Sequence, residues 1–446
     1  MKSPYEERQF HIAEALRERR SGRRGFSSVY LVIIMSSLLA LILVLIEAAA
    51  GFAAGSIAEN YCLISGRSVL SEFQPRLYDR YGILALRADE NRLSKLAGFY
   101  LGEAADMSAG LVNIVPDSIS ADSSSYRADD LRLFEDQIAE ISKYIVVKNA
   151  LDAAGISSLI EDIVSGKAAE SYDASDTLDE LDELSKAPKT PADGSPEEGP
   201  DAEKQKREQA RKLRNQYKNA FRSYGRPDGN GMLERLADYV AGDMFCVEYA
   251  MRMFSNRYSM FTDTVLRYES EYLLFGGSTD AVNERAMRSA LFIFRFTINL
   301  AGILSDPAEM ARINSEAATV YFLLPTSLVV AVLTAVRAAR LSAEHLNMLL
   351  AGEKVPILKG VDFGTYADYL RLFLYTVPKD TLLRRMMNVM EQNVAEEDGA
   401  DFSFRSYCYG FELSAEFNKA THLPDFMGIN GRRGRVVQKH AYLQTW

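Results

Sequence analysis

Residues 26–46 read FSSVYLVIIMSSLLALILVLI, twenty-one positions without a charge. A bilayer core about 30 Å thick is crossed by about 20 helical residues, and this stretch has that length. Arg17, Arg19, Arg20, Arg23 and Arg24 stand just before it. Such a cluster holds its end of the segment in the cytoplasm. The reading is a single-pass cell-membrane anchor with its N-terminus cytoplasmic and its C-terminal domain extracytoplasmic. A secretory signal peptide is the alternative, but its apolar core runs only ~7–15 residues. Here the apolar run goes on past Glu47 through Ala48, Ala49, Ala50, Gly51, Phe52, Ala53 and Ala54.

The anchor organises the rest of the chain. Residues 1–24 read as a basic cytoplasmic tail and 25–54 as the transmembrane helix, which continues to about 73. Beyond the bilayer, Ile57, Tyr61, Ile64 and Val69 keep a helical stripe going. Pro75 disfavours helix for the residue before it. Gly82 opens Ile83-Leu84-Ala85-Leu86, a strand by composition. Residues 75–170 form the first part of the outer domain. In it Leu131, Phe134, Ile138, Ile141 and Ile145 mark an amphipathic helix, core-facing or, alternatively, paired in a coiled coil.

Residues 170–200 carry ten acidic and two basic side chains, with Pro188, Pro191, Pro196 and Pro200. Little there can offset the entropy of ordering, so 171–202 reads as an acidic flexible linker. Lys204 to Arg214 is basic. A solvated helix face is preferred to pairing with the acidic segment.

Residues 203–446 read as a helical domain closed by a β-hairpin. Asp306-Pro307 with Glu309 marks one helix start, Thr365 with Asp368 another. Ser278 and Thr279 open a helix reaching about Leu304, and Gly352 stops one. Ala317–Val336 is uncharged over twenty positions. It reads as a buried, kinked core helix around Pro325, with a second membrane span as the alternative. From Phe402 the period changes to two, and Asn430-Gly431 marks a turn. The fold class is therefore α+β and predominantly helical: a long N-terminal transmembrane helix, then a mostly helical outer domain. Its small β elements lie near 83–86 and in 402–443.

Composition bounds the function. Over 446 residues, 48% are hydrophobic and 25% charged, as in ordinary folded proteins. Net charge is −10, and the first 24 residues hold seven basic against four acidic groups. The rest is therefore strongly acidic, which opposes nucleic-acid binding and docking on anionic lipid. Cys62, Cys246 and Cys408 are far apart; one pair plus a free thiol, or three free thiols, both stand. No phosphate loop, dinucleotide fingerprint, zinc spacing or nucleophile elbow occurs. The histidines, His11, His345, His422 and His440, have no motif around them. No catalytic, cofactor-binding or metal-ligating residue is assigned, and no small-molecule substrate is expected.

The basic cluster, then Gly25-Phe26-Ser27-Ser28-Val29-Tyr30-Leu31 and Leu45-Ile46-Glu47-Ala48-Ala49, resembles the N-terminus of Tad/Flp pilus pilin-like proteins, the TadE/TadG-like pseudopilins most. The chain also resembles a domain-of-unknown-function family of bacterial single-pass proteins. That resemblance rests on Leu77 to Leu86 (LYDRYGILAL), Glu271 to Gly276 (EYLLFG) with Asn283, and Leu349 to Pro356 (LLAGEKVP). It implies a pilin-like minor component or assembly protein whose partners are the membrane and pilin-like subunits or pilus assembly proteins. Pilins of this class usually carry a glutamate at the fifth residue after the processed glycine; here that residue is Tyr30. Processing at Gly25-Phe26 therefore stays open. Helix packing in the bilayer uses small residues, which makes Ser36, Ser37, Ala40, Ala48 and Gly51 the packing set, with Glu47 at the outer interface. A membrane-anchored exported enzyme or ligand-binding module is the alternative.

Overall fold

The computed structural model describes residues 4–106, 114–143, 174–186, 200–224, 244–356, 363–398, 402–419 and 434–443. It is mainly helical, with a few small strands and a long apolar N-terminal helix. Contacts gather it into two compact units. The first combines residues 1–73, 85–127 and 406–444; the second combines 74–84, 128–405 and 445–446.

In the first unit α1 runs from Pro4 to Leu70. No proline falls between Tyr5 and Gln74, so nothing removes a backbone donor along its length. Its two halves differ. Val29 to Ile46 is exposed, while Ala50, Ala54, Ala58, Tyr61, Ser65 and Val69 are buried at steps of three or four, with Cys62 buried beside them. The expected stripe is thus corrected: Ile64 faces outward, and the seam is built on alanines, which let other elements come close to the backbone. Against it pack α3 (Glu90–Asp106), through Leu93, Ala97 and Leu101, and an antiparallel sheet. The sheet has the order β2 (Ile114–Asp122), β6 (Gly410–Lys419), β7 (Gly434–Leu443). Phe411, Leu413, Ala415 and Phe417 of β6 alternate inward with the polar outward residues Glu412, Ser414, Glu416 and Asn418. The short β1 (Leu86–Arg87) pairs with β5 (Tyr407–Cys408), so the strand expected at 83–86 starts later. Likewise 404–406 is a 3₁₀ turn and the C-terminal strand begins at Gly410. The Asn430-Gly431 turn lies outside the described residues.

The second unit holds α2 (Pro75–Tyr81), α4 (131–143), α5 (Ala174–Ser185), α6 (Pro200–Phe221), α7 (Met244–Met253) and α8 (Glu269–Phe275). It continues with α9 (Asp280–Leu304), α10 (Pro307–Val320), α11 (Thr326–Leu350), α12 (Tyr366–Leu374) and α13 (Lys379–Asp398), with β3 (Val355–Pro356) paired to β4 (Phe363–Gly364). The starts marked in the sequence are present. Asp306 accepts from the Ala308 and Glu309 amides, and Thr365 with Asp368 closes a capping box. Phe134 and Ile138 of α4 are fully buried, and Phe134 meets Phe404 edge-on, so α4 faces a core.

Two expectations are corrected here. The first part of the supposed acidic linker is the helix α5, and the basic helix α6 packs on it. Asp182 pairs with Arg214 and, at 3.7 Å, with Lys218, while Ala210, Leu213 and Tyr217 are buried. Within Lys204–Arg214, among the described residues, only Arg214 pairs with an acid of α5, while Lys204, Arg211 and Lys212 are exposed as on a solvated face; residues 187–199 lie outside the described residues. Second, Ala317–Val336 is not one helix. It is the end of α10, a turn at 321–325 and the start of α11. Arg337 of α11 reaches back to Glu309 and Glu316 of α10, both at 2.9 Å, which closes the hairpin.

By length and composition α1, α9 and α11 are each able to cross a bilayer. Their surroundings separate them. The most apolar window is 44% buried inside the protein in α9 and 56% in α11, but 0% in α1.

Candidate functional site

The exposed half of α1 is the first candidate surface. Leaving its large side chains in water costs on the order of 20–40 kcal/mol at ~1.5–3 kcal/mol each, so this face needs an apolar surround. Its polar groups are adapted to one. Ser36 Oγ donates to the Ile33 carbonyl at 2.9 Å and Ser37 Oγ to the Ile34 carbonyl at 2.8 Å, which satisfies both serine hydroxyl protons within the helix, as an apolar surround requires. Ser36, Ser37, Ala40 and Ala48 are all exposed and Gly51 is half-buried. The backbone at Gly25 and Phe26 is helical; the Phe26 side chain is outside what the structure describes.

Glu47 sits where the apolar run stops. The sequence reads it as a lone acid at an interface. The structure gives it Lys419, at the end of β6, whose Nζ donates to Glu47 Oε1 at 2.8 Å and to the Glu47 carbonyl at 3.4 Å. Lys419 is 5% exposed and Glu47 22%. Gly51, one turn on, lies beside the ammonium: a Cβ there would stand 3.9 Å from it, in ordinary contact. Above this pair Tyr442 of β7 lies against Gly66, where any side chain would run into the ring. Burial pushes the Cys62 and Cys408 thiols up to about 11, and all three cysteines are buried, none of them in a disulfide. Cys62 and Cys408 are packing groups rather than activated nucleophiles.

A second candidate lies inside the helical unit, around α8. Glu269 is fully buried and takes four donors. Its Oε2 accepts from the Ser255 amide at 2.7 Å and the Ser255 hydroxyl at 3.0 Å; its Oε1 accepts from Arg80 Nη2 at 3.1 Å and Asn393 Nδ2 at 2.5 Å. Asn393 also donates to the Tyr81 hydroxyl at 2.7 Å, and the Tyr249 hydroxyl donates to the Tyr81 carbonyl at 2.7 Å. One turn face away, Glu271 accepts from the Tyr366 hydroxyl at 2.7 Å. Desolvation raises the pKa of both carboxyls, against hydrogen bonds that lower it. The Tyr366 hydroxyl is pushed far above its ordinary range by burial and by Glu271.

The three sequence stretches that carry the family resemblance meet here. Leu77 to Gly82 supplies Arg80 and Tyr81. Glu271 to Gly276 is the greater part of α8 with its C-cap, and the Leu273 and Leu274 carbonyls of its last turn accept from Arg385 Nη1 at 2.8 Å each. Gly276 takes the left-handed conformation, φ +70, and Arg385 lies so close that a Cβ would come within 2.8 Å of it. Asn283 then clasps Gly277, accepting from its amide at 2.8 Å and donating to its carbonyl at 3.0 Å. From Leu349 to Pro356, the Leu349 carbonyl accepts from the Tyr258 hydroxyl at 2.8 Å, and Tyr258 packs edge-on to Tyr366. The Pro356 carbonyl accepts from Arg295 at 2.8 Å.

Arg295 is 2% exposed. It also donates to the Tyr369 hydroxyl at 3.0 Å, to Asn299 Oδ1 at 3.2 Å and to His345 Nδ1 at 2.8 Å. A guanidinium only donates, so His345 accepts at Nδ1 and is neutral. Burial and Arg295 together lower its pKa to about 4. The spacing of Glu344 and His345 gives no sign of this role. Nor does the sequence flag Glu269, Arg295, Asn393 or Lys419, whose partners are far along the chain. Among the described residues no group of three or more His, Cys, Asp or Glu is placed to hold a metal ion. The carboxylates of this centre act as acceptors that tie segments together, since Glu269 has every donor it can take.

Fold and sites together define a mainly helical α+β protein with an apolar N-terminal helix long enough to cross a bilayer and a hydrogen-bonded polar centre. Residues 198–362 and 364–419 match the family of unknown function DUF5702, which shows an uncharacterised family over that stretch. The match includes α8, Arg295, His345, Tyr366, Asn393 and Lys419. No curated protein matches the chain, and no solved structure does.

Proposed function

We propose that this protein is a membrane-anchored structural component of a cell-envelope apparatus, of the pilin-like kind that its N-terminal stretch resembles. It acts by helix packing and protein–protein contact rather than by catalysis. The observation that carries the reading is α1: an unpartnered apolar half of bilayer length, continuous with a half packed on a sheet. The arginine cluster before Phe26 orients the N-terminus to the cytoplasm and the folded units to the outside. Pilin-like subunits or assembly proteins then meet the chain both in the bilayer, along the Ser36, Ser37 and Ala40 region, and on the acidic outer surface. Tyr30 in place of the usual glutamate fits a minor or assembly role better than that of a repeating subunit.

Intact mass and N-terminal sequencing of the native protein, extracted from its own membranes, tests this. A chain beginning at Phe26 supports the pseudopilin form of the reading. An intact Met1 with membrane retention supports an anchored assembly factor. A start beyond Ala54 sinks the anchor and the function with it.

A further inference from the structure

The Glu47–Lys419 pair fixes where the sheet stands along α1. Three contacts tie β6 and β7 to the helix. Lys419 meets Glu47, Gln438 donates to the Gly55 carbonyl at 3.3 Å, and Tyr442 lies on Gly66. In register, Gln438 is opposite Ala415 and Tyr442 opposite Phe411. Two rulers agree. Glu47 to Gly66 spans about 28 Å of helix at 1.5 Å per residue, and Lys419 to Phe411 about 27 Å of strand at 3.4 Å per residue. The strands therefore run along α1, and only the end carrying Ile114, Lys419 and Gly434 is level with Glu47.

The head-group layer beyond the hydrocarbon is about 5–7 Å deep on each side. Phe52 lies about 7 Å past Glu47 along the helix, and Val115, paired with Asn418, about 3 Å past Lys419 along the strand. Both are large, apolar and open: Phe52 is 83% exposed and Val115 56%. They point to opposite sides of the unit, since Phe52 is off the buried seam of α1 and Val115 is on the outward face of the sheet. Lys419 and Glu47 neutralise each other at this level, which lowers the cost of placing either at an interface.

We infer that this end of the first unit is a lipid-contacting collar: Phe52 and Val115 sit in the head-group layer of the membrane that α1 crosses. The unit thus stands upright on the bilayer, with its sheet along the membrane normal. This rests on the proposed bilayer crossing of α1. The contact is apolar insertion, not attraction to anionic lipid, in keeping with the acidic chain.

Tryptophan quenching in nanodiscs tests it. The one native tryptophan is removed as Trp446→Phe, and single probes are placed as Leu38→Trp, Phe52→Trp, Val115→Trp and Glu412→Trp. All four positions are exposed, so the fold tolerates them. Brominated phosphatidylcholine should quench Leu38→Trp strongly. It should quench Phe52→Trp and Val115→Trp several-fold more than Glu412→Trp, which sits at the far end of the sheet. Quenching of Leu38→Trp with Phe52→Trp and Val115→Trp as dark to lipid as Glu412→Trp overturns the collar while leaving the anchor standing. An unquenched Leu38→Trp overturns both.

Discussion

Replacing Glu269 with alanine is the sharpest test of the polar centre. The substitution removes the acceptor for four hydrogen bonds at a fully buried position. It strands the Ser255 amide and the Asn393 amide group, and it takes the counter-charge from Arg80. Removing one member of a buried ion pair costs ~3–5 kcal/mol. Arg80 keeps 17% side-chain exposure and still donates to the Asp263 carbonyl, so the lower end applies, about 3 kcal/mol. At ~2–4 °C per kcal/mol for a unit of this size, thermal unfolding should fall by roughly 6–12 °C. Glu269→Gln should recover only part of the loss. Donors face both carboxylate oxygens, Ser255 on one side and Arg80 with Asn393 on the other. A glutamine must turn its own donor toward one of them. The assay is thermal unfolding of the full chain in detergent, followed by circular dichroism. If both variants melt within about 0.5 kcal/mol of the parent, as surface substitutions do, the centre does not hold the unit together and the reasoning fails.

Further expectations follow from the same contacts. Gly66→Ala should destabilise by about 1–3 kcal/mol, the usual cost of overpacking. Tyr442→Leu in the same chain should recover most of that; no recovery in a melting experiment would place the fault elsewhere. Lys419→Met and Glu47→Gln should each destabilise. A double-mutant cycle should return a coupling energy above the ~0.2–1 kcal/mol of an exposed pair, because Lys419 is 5% exposed; a coupling near zero refutes the clasp. His345 tests the pH response. Its folded pKa, about 4, is depressed below the ordinary 6.5. The stability it lends is therefore complete above pH 6.5 and lost as pH falls toward 4. His345→Asn keeps an acceptor for Arg295 but cannot titrate there, so it should lose less stability than the parent across that window. Glu269 and Glu271 work in the opposite sense. Their raised pKa values withdraw stability as pH rises above the ordinary carboxylate range. The comparison of parent with variant at each pH isolates the histidine. Equal slopes would mean that His345 is not buried as a neutral acceptor.

The local features were legible because each is written in adjacent residues. The apolar run before Glu47 announces its helix by length alone. Asp306-Pro307 and Thr365 with Asp368 announce helix starts because a cap is closed within one turn. Gly352 announces a stop because glycine alone takes φ +84 without strain. The errors lie where local composition and tertiary packing compete. The acidic segment around 174–185 looks unfoldable by charge, yet α6 supplies Arg214 and Lys218 for Asp182 along with the apolar face that it lacks. Ala317–Val336 looks like one segment because hydropathy does not register the backbone. The turn at 321–325 interrupts it, with Pro325 at the start of α11, and the Arg337 ion pairs hold the two helices together. The stripe on α1 departs from expectation at Ile64 because bulk is not the sign of burial there: the buried seam uses alanine to bring the sheet close.

Hydropathy and periodicity act over a few turns, and so the chain alone settled the apolar helix, its bilayer length, several helix boundaries and the mainly helical class with a β-rich C-terminus. Partner choice acts through space. Which lysine would answer Glu47, that β2 would join β6 and β7, and that Glu269, Arg295, His345 and Asn393 would gather in the helical unit depended on pairings up to hundreds of residues apart. A buried charge is tolerable only when its donors or acceptors arrive with it, and their arrival is a property of the packed molecule.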